Sequence, residues 1–189
     1  CYSLTSVTFR DGLTHIDYGA FSSCTSLKSI TIPDSVSVIT TQAFSGCSSL
    51  VDVKLPNGEK LSFGLQVFEN CTSLTTVSMP KLTKVSSNMF KNCSSLTVAD
   101  LPSIIYIDSY AFSGTSLKYG YFPKVTEIGT YAFKDASMLK YAMMPAAESV
   151  STGCFMGCTS LKYVCLSSAK EIKVNTFSGC DSLKSLWLP

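Results

Sequence analysis

The sequence predicts an α/β solenoid, mostly β, in which about nine coils of 21–24 residues stack on one another. Three registers predict it. Leucine recurs at Leu4, Leu27, Leu50, Leu74, Leu96, Leu117, Leu139, Leu161 and Leu183, in steps of 23, 23, 24, 22, 21, 22, 22 and 22. Phenylalanine recurs at Phe21, Phe44, Phe68, Phe90, Phe112, Phe133, Phe155 and Phe177, which takes eight of the 11 Phe. The string Cys-x-Ser-Leu returns at Cys24, Cys47, Cys71, Cys93, Cys158 and Cys180.

Each part of the composite coil C-x-S-L-x-x-I-x-L-P-x-x-V-x-x-I-x-x-x-A-F-x-x has a physical role. In Leu27–Pro33 the apolar residues alternate as in a strand with one buried face. Pro33, Pro56, Pro80, Pro102, Pro123 and Pro145 end these strands, because proline lacks the N–H a ladder needs. A second apolar pair follows, Val36/Ile39 in one coil and Ile104/Ile107 in another. Phe44 and Cys47, three residues apart, are expected on the inner side of one helical or 3₁₀ turn. Asn57-Gly58-Glu59-Lys60 opens the longest coil and reads as a local loop. A period near 22 is too short for helix-pair repeats or propeller blades and fits a leucine-rich-repeat superhelix, right-handed, with one strand per coil. The parallel sheet is expected on the concave side, with short strands and helical turns on the convex side. Residues 1–189 read as a single solenoid domain cut in mid-repeat at both ends, Cys1 and Pro189. Leu186 and Leu188 would then be exposed, which predicts further repeats, further domains of the same chain or a partner.

The repeat resembles the BspA-like, or Treponema-type, leucine-rich repeat family over essentially all 189 residues. Coil six departs from it at Gly114-Thr115-Ser116-Leu117, one residue short and without the cysteine, and coil seven carries Ala136 in the cysteine position. Ser167 replaces the proline of coil eight. The resemblance implies a surface protein, extracellular or on the cell surface, that adheres to proteins or glycans on a host or neighbouring cell.

Composition narrows the function classes. Fifteen basic residues face 13 acidic ones, and both halves of the chain are balanced, so no nucleic-acid partner is expected. No apolar run approaches the ~18 residues of a membrane span, so direct membrane insertion is not expected. His15 is the single histidine, and it is read as a solvated surface residue. No nucleophile elbow, phosphate loop or dinucleotide fingerprint occurs, and Asp52 and Asp100 lie in different columns two coils apart. No enzyme activity, cofactor or metal is expected.

Seven of the nine cysteines, Cys1 included, share one repeat position and are read as a reduced, buried ladder. Parallel stacked side chains suit disulfide geometry poorly. Cys154 takes the small-residue slot before Phe155, as Ala43 and Ala111 do elsewhere. Cys165 falls on an outward strand position as an accessible thiol. The sequons at Asn70 and Asn92 have core cysteines as middle residues and read as by-products of the repeat.

The outward strand columns carry the functional signal. One runs Ser6, Ser29, Asp52, Thr76, Val98, Tyr119, Tyr141, Tyr163, Ser185. The other runs Thr8, Thr31, Lys54, Ser78, Asp100, Tyr121, Met143, Cys165, Trp187. Beside the last four coils runs a lysine column, Lys118, Lys140, Lys162 and Lys184. The early coils show that the repeat does not require these aromatics. One reading is a stability ladder of stacked tyrosines covered by lysine stems. The other is a ligand-binding platform, since Tyr and Trp offer apolar area with a polar tip. Four strands span only ~15 Å, enough for a short peptide or a few sugar units. A spacer that binds nothing is the competing function.

Overall fold

The computed structural model describes residues 1–10, 12–56 and 61–189. Its described residues hold sixteen short strands and no helix, arranged as two alternating series. The first-strand series is β2 (Ser29–Thr31), β4 (Asp52–Lys54), β6 (Thr76–Ser78), β8 (Val98–Asp100), β10 (Tyr119–Tyr121), β12 (Tyr141–Met143), β14 (Tyr163–Cys165) and β16 (Ser185–Trp187). The second series is β1 (His15–Ile16), β3 (Val38–Ile39), β5 (Ser62–Phe63), β7 (Lys84–Val85), β9 (Tyr106–Ile107), β11 (Glu127–Ile128), β13 (Ser149–Val150) and β15 (Glu171–Ile172). Every pairing joins a strand to the equivalent strand one coil away, always parallel, which makes a β-solenoid of about eight turns. Nine leucine positions predict nine coils, but residues 6–8 of the first form no strand.

The first-strand sheet comes in three pieces, β2–β4, β6–β8 and β10–β12–β14–β16. The gaps flank the longest and shortest leucine steps, 24 and 21 residues. An extra residue or a missing one displaces the strand entry from its neighbour, and the ladder bonds lapse there. The loop expected at Asn57–Lys60 lies outside the described residues.

The core is one continuous cluster. Leu27, Leu50, Leu74, Leu96, Leu117, Leu139 and Leu161 are fully buried, as are the six phenylalanines from Phe44 to Phe155 in their register. Those rings stack face to face, with centroids 5.6 Å apart for Phe44–Phe68, 5.8 Å for Phe68–Phe90 and 5.3 Å for Phe112–Phe133. A single size exchange interrupts the repeat beneath the last coils. Gly120 takes the inward strand position that Ile30 and Val77 fill elsewhere, and the Met144 methyl, Leu139 and the ring of Phe122 close over the vacated space. Phe122 lies 5.8 Å from Phe112 and is itself buried.

The corner after each second strand is a pair of tight turns, where a helical or 3₁₀ turn was expected. Cys47 donates its N–H to Phe44 O, 3.2 Å, but the residue between, Gly46, sits at φ 74°. That left-handed conformation stops any helical continuation. The whole column repeats it: Ser23, Gly46, Asn70, Asn92, Gly114, Asp135, Gly157 and Gly179, all with positive φ. Apart from Ser23 these are Gly, Asn and Asp, the residue types that tolerate it most readily. Alternate N–H groups then bond forward to the next coil, as Gln42 to Leu65 O (2.9 Å), Phe44 to Val67 O (3.0 Å) and Gly46 to Glu69 O (2.7 Å). The expected inward placement of Phe44 and Cys47 holds, since both are fully buried. Asn70 and Asn92 serve these corners, and their exposed amides bond one another at 2.9 Å.

The cysteine ladder is buried from Cys24 to Cys180 and all nine cysteines are free thiols. Cys1 departs from the expectation: it is exposed. Within the ladder the sulfur does more than fill space. Cys47 donates to Phe21 O at 3.0 Å, Cys71 to Phe44 O at 3.2 Å, and Cys93 to Phe68 O at 3.1 Å. The carbonyls of Phe21, Phe44, Phe68, Phe133 and Phe155 thus accept both the N–H of their own corner and the S–H of the next coil. The two departures in coils six and seven are coupled through this rule. The Thr115 hydroxyl bonds Phe112 O of its own coil at 2.8 Å, so Ala136 need supply no donor.

Candidate ligand-binding face

Strict register brings the aromatic columns together. β10 pairs with β12, Tyr119 opposite Tyr141 and Tyr121 opposite Met143. β12 pairs with β14, Tyr141 opposite Tyr163 and Met143 opposite Cys165. β14 pairs with β16, Tyr163 opposite Ser185 and Cys165 opposite Trp187. The inward partners Gly120, Ala142 and Val164 are buried, so the outward residues share one face.

Tyr119, Tyr141 and Tyr163 stack, with centroids 5.3 and 5.2 Å apart and planes within 11° of parallel. They border a trough of about 500 Å³, completed by Gly120, Tyr121, Met143 and Trp187. Tyr119, Tyr121 and Trp187 are 62%, 68% and 54% exposed. Tyr141, Met143 and Tyr163 are half-buried. Of the sequence-predicted residues, Cys165 stands in the column between Met143 and Trp187 without bordering the trough. It is half-buried, with its sulfur 4.0 Å from Ser167 Oγ. Lys118, Lys140, Lys162 and Lys184 immediately precede the outward columns on the same coils. Their backbones are locked in the ladder, Lys140 N–H to Lys118 O and Lys162 N–H to Lys140 O, both 2.9 Å. The cation–π contacts of the described residues lie elsewhere, so lysine heads capping this tyrosine stack are not what the geometry provides.

Those contacts mark an aromatic pair that sequence reading missed. Tyr110 and Tyr131 sit at corner positions with φ 57°, rare for a bulky side chain. Their rings lie 5.1 Å apart, and the Lys91 and Lys134 ammoniums lie 5.6 Å from them. The signal was present as the repeated Tyr-Ala-Phe at 110–112 and 131–133.

Elsewhere reactive chemistry is damped. Burial pushes the Cys47 and Cys180 thiols up to about 11 and Cys93 up to about 12, and it raises Cys71, Cys154 and Cys158 as well. At neutral pH these thiols stay protonated, a poor form for a nucleophile or a metal ligand. Their stabilising effect is full below the ordinary thiol range near 9.0 and fades as pH rises through 11 and above. His15 is exposed on β1, with Nδ1 2.8 Å from Thr14 Oγ1.

The family model for the BspA type leucine-rich repeat region matches in six copies over residues 1–118 and 83–189. The chain belongs to this family. A leucine-rich repeat protein from Bacteroides ovatus is similar in structure, at 26% identity and a TM-score of 0.69. That match covers 97% of this chain and 60% of the other. A leucine-rich cell surface protein from Faecalibacterium prausnitzii matches at 29% identity and 0.57, over 92% of this chain and 64% of that one. The T. pallidum leucine-rich repeat protein matches at 27% identity and 0.60, over 92% and 74% respectively. The chain therefore spans under two thirds of the length of the first two. No curated protein matches it.

Proposed function

We propose that the chain is a non-enzymatic binding and adhesion module, part of a cell-surface protein, whose trough contacts a protein or glycan. One observation carries this. Tyr119, Tyr121, Tyr141, Met143, Tyr163 and Trp187 converge on one trough, while Ser29, Thr31, Thr76 and Ser78 hold the same positions in earlier coils. A core needs no such asymmetry, because these side chains point away from it. Exposed aromatic surface of this kind is typical of interaction sites. Family membership adds support for a surface location, since the Faecalibacterium relative is described as a cell surface protein.

The second reading, a spacer with no ligand, is favoured by the tyrosine stack covering its own faces. A panel of extracellular-matrix proteins and glycans separates the two. Binding should be saturable for at least one member and should change the fluorescence of Trp187, the single tryptophan. A silent panel, with a rigid rod in solution scattering, is the outcome the spacer predicts.

A further inference from the structure

The chain segments that carry the trough hold charge of one sign, although the residues lining it are uncharged. Residues 118–124, 140–146, 162–168 and 184–189 contain Lys118, Lys124, Lys140, Lys162 and Lys184 but no Asp or Glu. The acids of these coils, Glu127, Asp135, Glu148, Glu171 and Asp181, fall on or beside second strands, at a corner, or in the turn before β16. Three of them pair there: Asp135 with Lys134, Glu148 with Lys170 and Glu171 with Lys173. Among the described residues Lys118, Lys140, Lys162 and Lys184 have no such partner. One unpaired lysine per coil, on backbones at the ~4.8 Å spacing of neighbouring strands, is an arrangement that a line of anionic groups would relieve.

The tyrosines point to the same chemistry. Tyr141 has Tyr119 against one face at 5.3 Å and Tyr163 against the other at 5.2 Å. What it offers to solvent is its ring edge and hydroxyl. An aromatic edge is the electropositive part of the ring, and the hydroxyl is a donor. Nucleobases stack on ring faces, which this ladder withholds along most of its length. The outer face of Tyr163 lies over Ser185 beside Trp187, a place for one flat unit at the end. A peptide lying along the coils would present same-side groups every ~6.8 Å, out of step with the strands. A linear chain of pyranose units advances by about one strand spacing per unit.

From this charge segregation and edge-on stack, we propose that the trough binds a linear acidic polysaccharide laid across β10, β12, β14 and β16. Its carboxylates or sulfates sit along the lysine column, its ring hydroxyls meet the tyrosine edges, and a terminal sugar packs between Tyr163 and Trp187. The proposal rests on the binding-face reading above and names its ligand class.

The test titrates hexagalacturonate (carboxylate only) and a heparin hexasaccharide (sulfate and carboxylate) into the full chain, by calorimetry and Trp187 fluorescence. Cellohexaose, hexaglutamate and a six-nucleotide oligothymidylate are the comparators. At least one acidic sugar should bind saturably, at least ~10-fold tighter than every comparator, and weaken as salt rises. Lys140→Gln with Lys162→Gln should lower that affinity about 10-fold and reduce the log–log salt slope by about 2, with an unchanged thermal midpoint. The proposal is overturned if neither acidic sugar binds, if cellohexaose binds as well, if salt has no effect, or if hexaglutamate or the oligonucleotide binds tighter. The binding-face reading survives those results when another panel member binds through Trp187, and falls with the proposal only when nothing does.

Discussion

Phe112→Ala is expected to destabilise the chain by about 3–5 kcal/mol, the range for emptying a buried aromatic site. The ring is fully buried and sits between Phe90 at 5.5 Å and Phe133 at 5.3 Å, with Phe122 at 5.8 Å. Its removal takes one ring partner from each of three rings, and the close stacking of coils prevents collapse into the gap. Gly129 shows how tight that stacking is, since a Cβ there would come within 2.5 Å of Ser109 N. For a chain of this size the loss corresponds to a fall in thermal midpoint of roughly 6–20 °C, read by circular dichroism. Phe177→Ala is the internal control. That ring is only partly buried and stacks on Phe155 alone, at 5.8 Å, so its loss should cost less than half as much. Equal losses at the two sites would show that stacking does not distribute stability along the array.

Tyr141→Ala combined with Tyr163→Ala should have the opposite profile. Both side chains are half-buried on the outward face, and the core beneath them, Ala142 and Val164, is untouched. The stability cost is that of two cross-strand ring contacts, about 0.5–2 kcal/mol together. Binding of whatever ligand the trough takes should fall on the order of 100-fold or more, since two central anchors are removed at once. Calorimetric titration beside a melting curve checks both halves. A folded double variant that binds like the parent would exclude this face as the contact site.

Most of the interior was legible because every coil repeats the same burial problem. Leu, Phe and Cys return at fixed spacing, and those side chains meet in the core. The outward columns were legible for the same reason: alternation places Tyr119 outward, and parallel register carries that to Tyr141 and Tyr163. What could not be read were features set by single side chains. The exchange of Gly120 and Phe122 occurs once, and nothing in the repeat announces it. The left-handed corners were signalled by the column Gly46, Asn70, Asn92 and Gly114, but Tyr110 and Tyr131 break the usual residue preference at the companion position. The edge-on presentation of the tyrosines depends on rotamers, and the unpaired lysines depend on where the acids fold; neither is a property of spacing.

The central claim is that Leu, Phe and Cys close one interior stack and so leave the strand columns free to face outward. Thiol titration with Ellman's reagent, without reductant at pH about 8, tests it most directly. The native chain should show two readily reacting thiols, the exposed Cys1 and the half-buried Cys165, while the other seven stay protected. All nine should react in denaturant. Rapid native reaction of the ladder cysteines, or fewer than nine thiols after unfolding, would contradict the account.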